Sequence, residues 1–326
     1  MDTLLYGLGS IVAGVGGIIL LYFVLNWVVE QLPAKWEERL RPYVFIGPPL
    51  ILLAIFLLYP AVRTIILSFY DARGANFVGL DNYTRFFTTP RYLESLGNSV
   101  IWVVIVPTLS VLIGLVVAVL TDRLKETAEK VVKSVIFMPM AIALVAAGTT
   151  FLFIYAWSPP GTGQYGLLNA IWTGLGGDPE RWLSIDTARL NTILLTLVLV
   201  WMQAGFAMVL LSAAIKNVPE DTLEAARVDG ATEVQIFFKV VIPQIATTIM
   251  VLLVTITIFV LKTFDVVWVT TGGRFGTEFI PVTFFREFAV TRDQGMAATV
   301  VVVILVITLP IVAYNIRRYR AQEAMG

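Results

Sequence analysis

Residues 219–243 read PEDTLEAARVDGATEVQIFFKVVIP and form the longest polar interruption in the C-terminal half of the chain. The stretch predicts two short helices. Pro219 suits a first helical position, and the acidic residues after it favour the positive end of the helix dipole. Gly230 can take the left-handed conformation that ends a helix, and Thr232 with Gln235 fits the capping box that begins the next one. Long apolar runs flank the stretch, which therefore predicts a structured loop at a membrane surface that offers a docking site.

The composition excludes a protein with a single water-soluble core. Of the 326 residues, 58% are hydrophobic and 14% are charged, so an integral membrane protein is predicted. The chain contains no Cys and no His, which excludes disulfides, thiolate metal sites and histidine acid–base chemistry. We expect no catalytic and no metal-binding residues. The 23 basic and 23 acidic residues balance, and this balance gives no indication of nucleic-acid binding.

The apolar runs predict an all-α polytopic membrane protein with about seven transmembrane helices. A helix needs about 20 apolar residues to cross a bilayer core. Seven runs approach or exceed this length: 4–29, 44–69, 99–121, 134–157, 191–215, 246–269 and 295–316. The first run is rich in glycine and precedes a polar linker. We therefore divide the chain into 1–43, an extra N-terminal helix with its linker, and 44–326, a six-helix core.

The basic residues of the loops predict the orientation. With the N-terminus outside, 13 Lys and Arg residues lie in the cytoplasmic segments 30–43, 122–133 and 216–245 and in the C-terminal tail. Eight Arg residues lie in the longer external loops 70–98, 158–190 and 270–294. Lys and Arg are enriched in cytoplasmic loops. The bias predicts an external N-terminus and a cytoplasmic C-terminus, and it places residues 219–243 in the cytoplasm.

The polar stretch matches a motif of a known transporter family. Glu224, Ala225 and Ala226 are followed by Gly230 and later by Pro243, and this pattern resembles the EAA loop of binding-protein-dependent ABC importer permeases. Other strings resemble the carbohydrate branch of that family: FVGLDNY from Phe77, YGLLN from Tyr165 and FDVVWVTTGG from Phe264. Over about 44–320 the chain is similar to alpha-glucoside permeases of the maltose-transporter F-subunit type. Val240 and Ile242 depart from the residues usual in the motif.

The resemblance implies a type I importer permease in a bacterial inner membrane, together with its partners. These would be a second homologous permease subunit, two ATPase subunits and a periplasmic or lipid-anchored sugar-binding protein. The cargo would be alpha-glucosides of the maltose, sucrose or trehalose kind, with another sugar or glycerol phosphate as the alternative. In the family the first EAA helix seats in a cleft of the ATPase. The ATPase-coupling residues would accordingly lie within about 217–245, and they are Glu224, Ala225, Ala226, Asp229, Gly230 and Pro243.

Two predicted spans carry polar groups on one helical face. On the fifth span the face consists of Leu199, Met202, Gln203 and Phe206, and on the sixth of Thr255, Phe259 and Lys262. Asp265 follows three residues after Lys262, within reach of its ammonium group. A sugar path combines apolar faces with amide, hydroxyl and charged groups, and the resemblance maps its sugar-contacting positions onto the same seven residues. A Lys262–Asp265 pair that only holds the bundle together remains an alternative, because an intramembrane Lys must pair or face a cavity.

Two other classes of membrane protein fit the sequence less well. An ion-coupled secondary transporter ordinarily has internal repeats and intramembrane carboxylates, whereas Asp265 is the only acidic residue deep in a predicted span. An intramembrane enzyme needs an activated nucleophile or a metal cluster. The chain also has no glycine-rich phosphate loop. We therefore expect no cofactor on this chain, with ATP and Mg bound by the partner ATPase.

Overall fold

The computed structural model describes the backbone of residues 2–159 and 161–323. In this part of the chain the helices are α1 (Asp2–Glu30), α2 (Ala34–Leu67), α3 (Asp81–Thr88), α4 (Pro90–Asp122), α5 (Glu126–Phe137), α6 (Leu144–Ile154), α7 (Leu167–Gly174), α8 (Leu190–Lys216), α9 (Glu220–Val228), α10 (Glu233–Gln244), α11 (Ala246–Val260), α12 (Asp265–Thr270), α13 (Ile280–Phe285) and α14 (Gln294–Glu323). The described residues form no β-strand apart from a single bridge between Tyr70 and Phe77. The fold is therefore all-α, as predicted.

The chain divides into two compact units, Met1–Ile66 and Leu67–Gly326. In the first unit α1 contacts α2 through the stacked rings of Tyr22 and Phe45, whose centroids are 6.1 Å apart. The polar linker expected up to residue 43 is shorter in the structure, because α2 begins at Ala34 and its first turns carry the polar residues. The domain boundary at 43/44 stays a prediction.

Four helices are long and apolar enough to cross a membrane: Val12–Glu30, Ala34–Leu67, Pro90–Asp122 and Thr187–Lys216. Two further candidates are bent pairs, Glu126–Ala141 with Leu144–Ile154 at 101° and Glu233–Gln244 with Ala246–Val260 at 64°. The described residues thus give four to six spans, where the sequence predicted about seven. The run predicted at 295–316 lies in α14, whose apolar part is the shorter segment Gln294–Pro310.

Two predicted spans are interrupted. The run 134–157 breaks at a 3-10 turn over Met138–Ala141, where Pro139 lacks the N–H that a continuous helix needs. The run 246–269 ends at Val260 and resumes only at Asp265. In the turn between them Lys262 N donates to Phe259 O at 3.1 Å, a tight hydrogen bond that closes α11.

The second unit is organised around α8. In the most apolar stretch of this helix, 61% of the residues are buried. Close approach of its neighbours depends on glycine. A Cβ atom on Gly114 of α4 would lie 2.7 Å from the Cβ of Ala207, and one on Gly205 would lie 2.3 Å from the carbonyl oxygen of Ile136. Small residues at helix crossings allow this close packing. The helix that carries Gln203 is therefore the most tightly held helix of the unit.

Candidate functional site

The segment 219–243 forms two short helices, as its sequence predicts. Pro219 is the N-cap of α9, so the helix begins one residue later than expected. Gly230 has φ +81° and ends the turn after α9, a conformation that favours glycine. Thr232 and Gln235 form both hydrogen bonds of the capping box at the start of α10. The glycine turn and the capping box are confirmed, whereas Pro219 precedes the helix instead of being its first residue.

Helix α9 has an inner and an outer face. Leu223 and Ala226 are half-buried and pack against the main hydrophobic cluster of the unit. Glu224 and Ala225 are exposed, and so are Asp229 and Gly230 after the helix. Val228 lies one turn from Glu224 and Ala225 and is 87% exposed. The outer face thus joins a carboxylate, a small side chain and a bare apolar side chain, which suits docking of another protein. Ala226 supports the helix from inside.

The two short helices are joined by an ion pair. Arg227 Nε donates to Glu233 Oε1 at 2.9 Å, and this hydrogen bond raises the pKa of Arg227 above its ordinary value. Beside the pair, a groove of about 320 Å³ separates α9 and α10 from the end of α4. Pro243 lies near the end of α10, one turn before the 64° bend to α11. The segment is therefore a defined surface with its own internal contacts.

A buried carboxylate holds together the helix ends that lie next to residues 219–243. Glu129 of α5 is buried and accepts hydrogen bonds from Lys133 and from Lys216, the latter at 2.6 Å. Lys216 also lies 3.6 Å from Asp122 at the end of α4. Because Lys216 is the last residue of α8, the cluster ties three helices together just before α9 begins.

The predicted path residues fall into a buried group and an exposed group. Leu199, Met202 and Gln203 are buried on α8. Phe206 and Phe259 are half-buried and pack into the same hydrophobic cluster. The others are Thr255 and Lys262, which are exposed, and Asp265, which is half-buried at the start of α12. The apolar members of the two faces therefore share one cluster, and the charged members lie at the break in the helix.

The Gln203 side chain is 5% exposed, and its amide makes no hydrogen bond among the described residues. An amide without a protein partner is free to bind a ligand or a neighbouring subunit. Lys262 and Asp265 also form no ion pair within the described part of the chain. The reason is geometric, because α11 ends before Lys262 and the expected spacing along one helix is lost.

An aromatic cluster that was not predicted from the sequence lies next to the break. The Phe285 ring contacts both Phe264 and Trp268, with ring centroids 4.2 Å apart for Phe264 and Phe285 and 4.7 Å apart for Trp268 and Phe285. Arg286 lies beside the cluster, 5.6 Å from the centre of the Trp268 ring. The spacing of Phe264 and Trp268 was the only available signal. Nothing in the sequence connects them to Phe285, which comes from a separate helix.

Comparison with known proteins identifies the family. The family model described as "Binding-protein-dependent transport system inner membrane component" matches residues 110–321, which is more than half of the chain. The chain belongs to this family of ABC importer permeases. Its members are transport components of the membrane and not enzymes, so ATP hydrolysis occurs on a separate subunit. The suspected resemblance is therefore confirmed.

Two curated relatives are similar over most of the chain. The osmoprotective compounds uptake permease protein GgtC of Synechocystis sp. is 43% identical, over 86% of this chain and all of the relative. The alpha-glucoside transport system permease protein AglF of Rhizobium meliloti is 40% identical, over 97% of each chain. Among solved structures, a chain of a bacterial ABC transporter involved in the import of alginate has a TM-score of 0.71 at 19% identity. It covers 89% of this chain, and at that identity it supports the fold alone.

Proposed function

We propose that this permease imports alpha-glucosides and that its coupling surface is the outer face of α9. The observation that carries the substrate class is the alpha-glucoside relative, which is 40% identical over nearly the whole length of both chains. The similarity covers 97% of the chain, a range that includes α8 and α11, which carry the predicted path. The site chemistry agrees with a sugar, since Phe206 and Phe259 offer apolar faces and Gln203 offers an unpaired amide beside them.

A second cargo class has its own support. The relative from Synechocystis is named for osmoprotective compounds and is 43% identical over 86% of the chain. Uptake in proteoliposomes that hold the complete complex separates the two classes. We expect ATP-dependent accumulation of at least one of maltose, sucrose and trehalose, with little uptake of an osmoprotectant without a sugar ring, such as glycine betaine. Uptake of glycine betaine alone would overturn the alpha-glucoside assignment, and uptake driven by a proton gradient without ATP would overturn ATP-driven import.

The partners and the orientation complete the proposal. The complex contains a second homologous permease, two ATPase subunits and an external sugar-binding protein, and ATP with Mg binds the ATPase. The end of the bundle that carries α9 faces the cytoplasm, with the N-terminus outside. The loop charges support this orientation, since 13 basic residues lie in the shorter set of loops and eight in the longer set.

The proposed path predicts a specific loss when Gln203 is replaced by Leu. Leu keeps most of the side-chain volume and removes the amide, so we expect the KM for the sugar to rise about tenfold, the effect of one lost hydrogen bond. Basal ATP hydrolysis should remain. The matched control is Thr196→Val on the same helix, because the Thr196 hydroxyl donates only to Ile193 O, at 2.6 Å. Equal KM values in the wild type and in Gln203→Leu would exclude Gln203 from the path.

A further inference from the structure

Helix α12 is a short helix that the break at 261–264 separates from α11. Its position therefore depends on side contacts. On one side it packs against α6, where a Cβ atom on Gly148 would lie 2.5 Å from Val269 Cγ1. On the other side it meets α13 and the π-helical turn Arg286–Thr291. Asp265 is the first residue of this helix, and Lys262 lies in the turn just before it.

Arg286 contacts α12 and the chain that follows it. Its Nη2 donates to the carbonyl oxygen of Gly272 at 2.5 Å, and its guanidinium lies over the ring of Trp268. Its Nε lies 3.4 Å from Glu278 Oε2, yet this buried N–H makes no hydrogen bond among the described residues. One side chain thus contacts the helix, the turn after it and the loop beyond.

The neighbouring Phe285 contacts the other end of the helix. Its ring stacks on Phe264 at an interplanar angle of 15° and meets Trp268 edge-on at 70°. Phe264 is the N-cap of α12 and is joined directly to Asp265. Residues 285 and 286 therefore hold α12 at its start, at its middle and just after its end.

Glu278, the acidic neighbour of Arg286, is anchored in turn to α4. Arg91 donates to both carboxylate oxygens of Glu278, through Nε at 3.0 Å and through Nη2 at 2.8 Å. Such a two-pronged pair fixes orientation as well as distance. Asn98 of α4 also donates to the Glu278 backbone carbonyl at 2.7 Å. Arg286 is therefore linked through Glu278 to the long helix α4, which crosses α8 at Gly114.

We propose that Arg286 is a positioning residue for the sugar path. It holds α12 against α4 and α13, and thereby sets where Lys262 and Asp265 stand relative to Gln203. Arg286 acts through the helix and touches no sugar itself. The inference rests on the proposed function for its substrate, whereas the geometry of α12 can be tested without transport.

The absence of native cysteine makes a direct test of position available. A Lys262→Cys reporter in the assembled full-length complex is labelled with a small hydrophilic maleimide, in backgrounds with Arg286, Arg286→Lys or Arg286→Leu. Loss of the charge-assisted hydrogen bond should change the labelling rate of the reporter about tenfold in Arg286→Leu. Lys keeps the charge but lacks the planar fork, so Arg286→Lys should show an intermediate change. A Leu175→Cys reporter, 79% exposed in the turn after α7, should keep its rate in all three backgrounds.

Arg85→Leu is the matched control variant. Arg85 also forms an ion pair, with Asp293 at 2.9 Å, but it contacts neither α12 nor the aromatic cluster. We expect the labelling rate at residue 262 to change less than about twofold in this variant. An unchanged rate in Arg286→Leu, or an equal change in Arg85→Leu, would overturn the proposal. If the Arg286→Leu complex does not assemble, the labelling rate at residue 262 in Arg286→Lys tests the proposal in its place.

Transport kinetics supply the second readout, with residue 262 left as Lys. Arg286→Leu should raise the KM for the sugar about tenfold and keep the maximal rate within about threefold of the wild type, because the path is displaced and the coupling surface is intact. A fall in the maximal rate at constant KM would contradict positioning of the path. If the wild-type complex carries no sugar while the labelling rate at residue 262 still depends on Arg286, the proposed substrate is wrong and the positioning role stands.

Discussion

Replacing Val228 by Asp is expected to abolish sugar uptake and sugar-stimulated ATP hydrolysis, while the chain still inserts and assembles. Val228 is 87% exposed on the outer face of α9, so a charge there costs the isolated subunit little. In the complex that face is proposed to seat in the ATPase, where a buried and unpaired carboxylate is costly. A central contact residue contributes about 2 kcal/mol or more, which corresponds to a loss of about 30-fold. Stimulated ATP hydrolysis by the purified complex measures the effect.

Two control variants separate docking from general damage. Val228→Thr keeps the branched shape and replaces one methyl group by an uncharged hydroxyl group, so we expect at most a severalfold loss. Leu175→Asp places the same charge on a side chain that is 79% exposed in a loop at the opposite end of the unit, and coupling should survive it. Normal uptake and normal stimulated hydrolysis in Val228→Asp would exclude this face of α9 as the ATPase contact.

Replacing Gly205 by Ala is expected to lower the stability of the protein substantially. The new Cβ would lie 2.3 Å from the carbonyl oxygen of Ile136 and 2.8 Å from Phe137 Cα. Both are backbone atoms, so neither can turn away as a side chain would. Overpacking of this kind costs about 1–3 kcal/mol or more. We expect a clear fall in the thermal unfolding midpoint of the purified complex, on the order of 2–4 °C for each kcal/mol.

Gly174→Ala is the matched control for that substitution. Gly174 lies at the end of α7, and a Cβ atom there would meet nothing within 4 Å. Ala restricts the unfolded chain more than Gly does, so the midpoint should stay the same or rise slightly. If Gly205→Ala and Gly174→Ala have equal midpoints, the close approach of α8 to Ile136 is not a determinant of stability.

The features predicted correctly from sequence are those set by a few neighbouring residues. The glycine that ends the turn after α9, the capping box at Thr232 and the two-helix form of 219–243 all follow from local backbone conformation and local hydrogen bonds. The apolar runs likewise predicted an all-helical membrane protein, because bilayer thickness sets the length of a span. The family motif predicts a coupling role for the segment, which local physics alone does not.

The features that were missed depend on contacts between distant parts of the chain. The apolar run 246–269 is long enough for one span, yet the helix breaks after Val260 because α12 finds its partners on α6 and α13. The carboxylates of Glu278 and Glu287 are buried in the fold, although the sequence around them predicts an external loop. The path and coupling residues named from sequence stay predictions. From the structure we propose Val228 for the coupling surface, and Arg286 with its neighbour Phe285 for the position of α12.

The central claim, that the outer face of α9 couples the permease to the ATPase, can be tested most directly by photocrosslinking from residue 228. A benzoylphenylalanine at this position, in the full complex in membranes, should crosslink to the ATPase subunit. The same probe at residue 175, at the opposite end of the unit, should not. The yield at residue 228 should persist when the sugar is absent, since docking of the ATPase does not require cargo. Crosslinks from residue 228 only to lipid or to the permease subunits would contradict the proposed coupling surface.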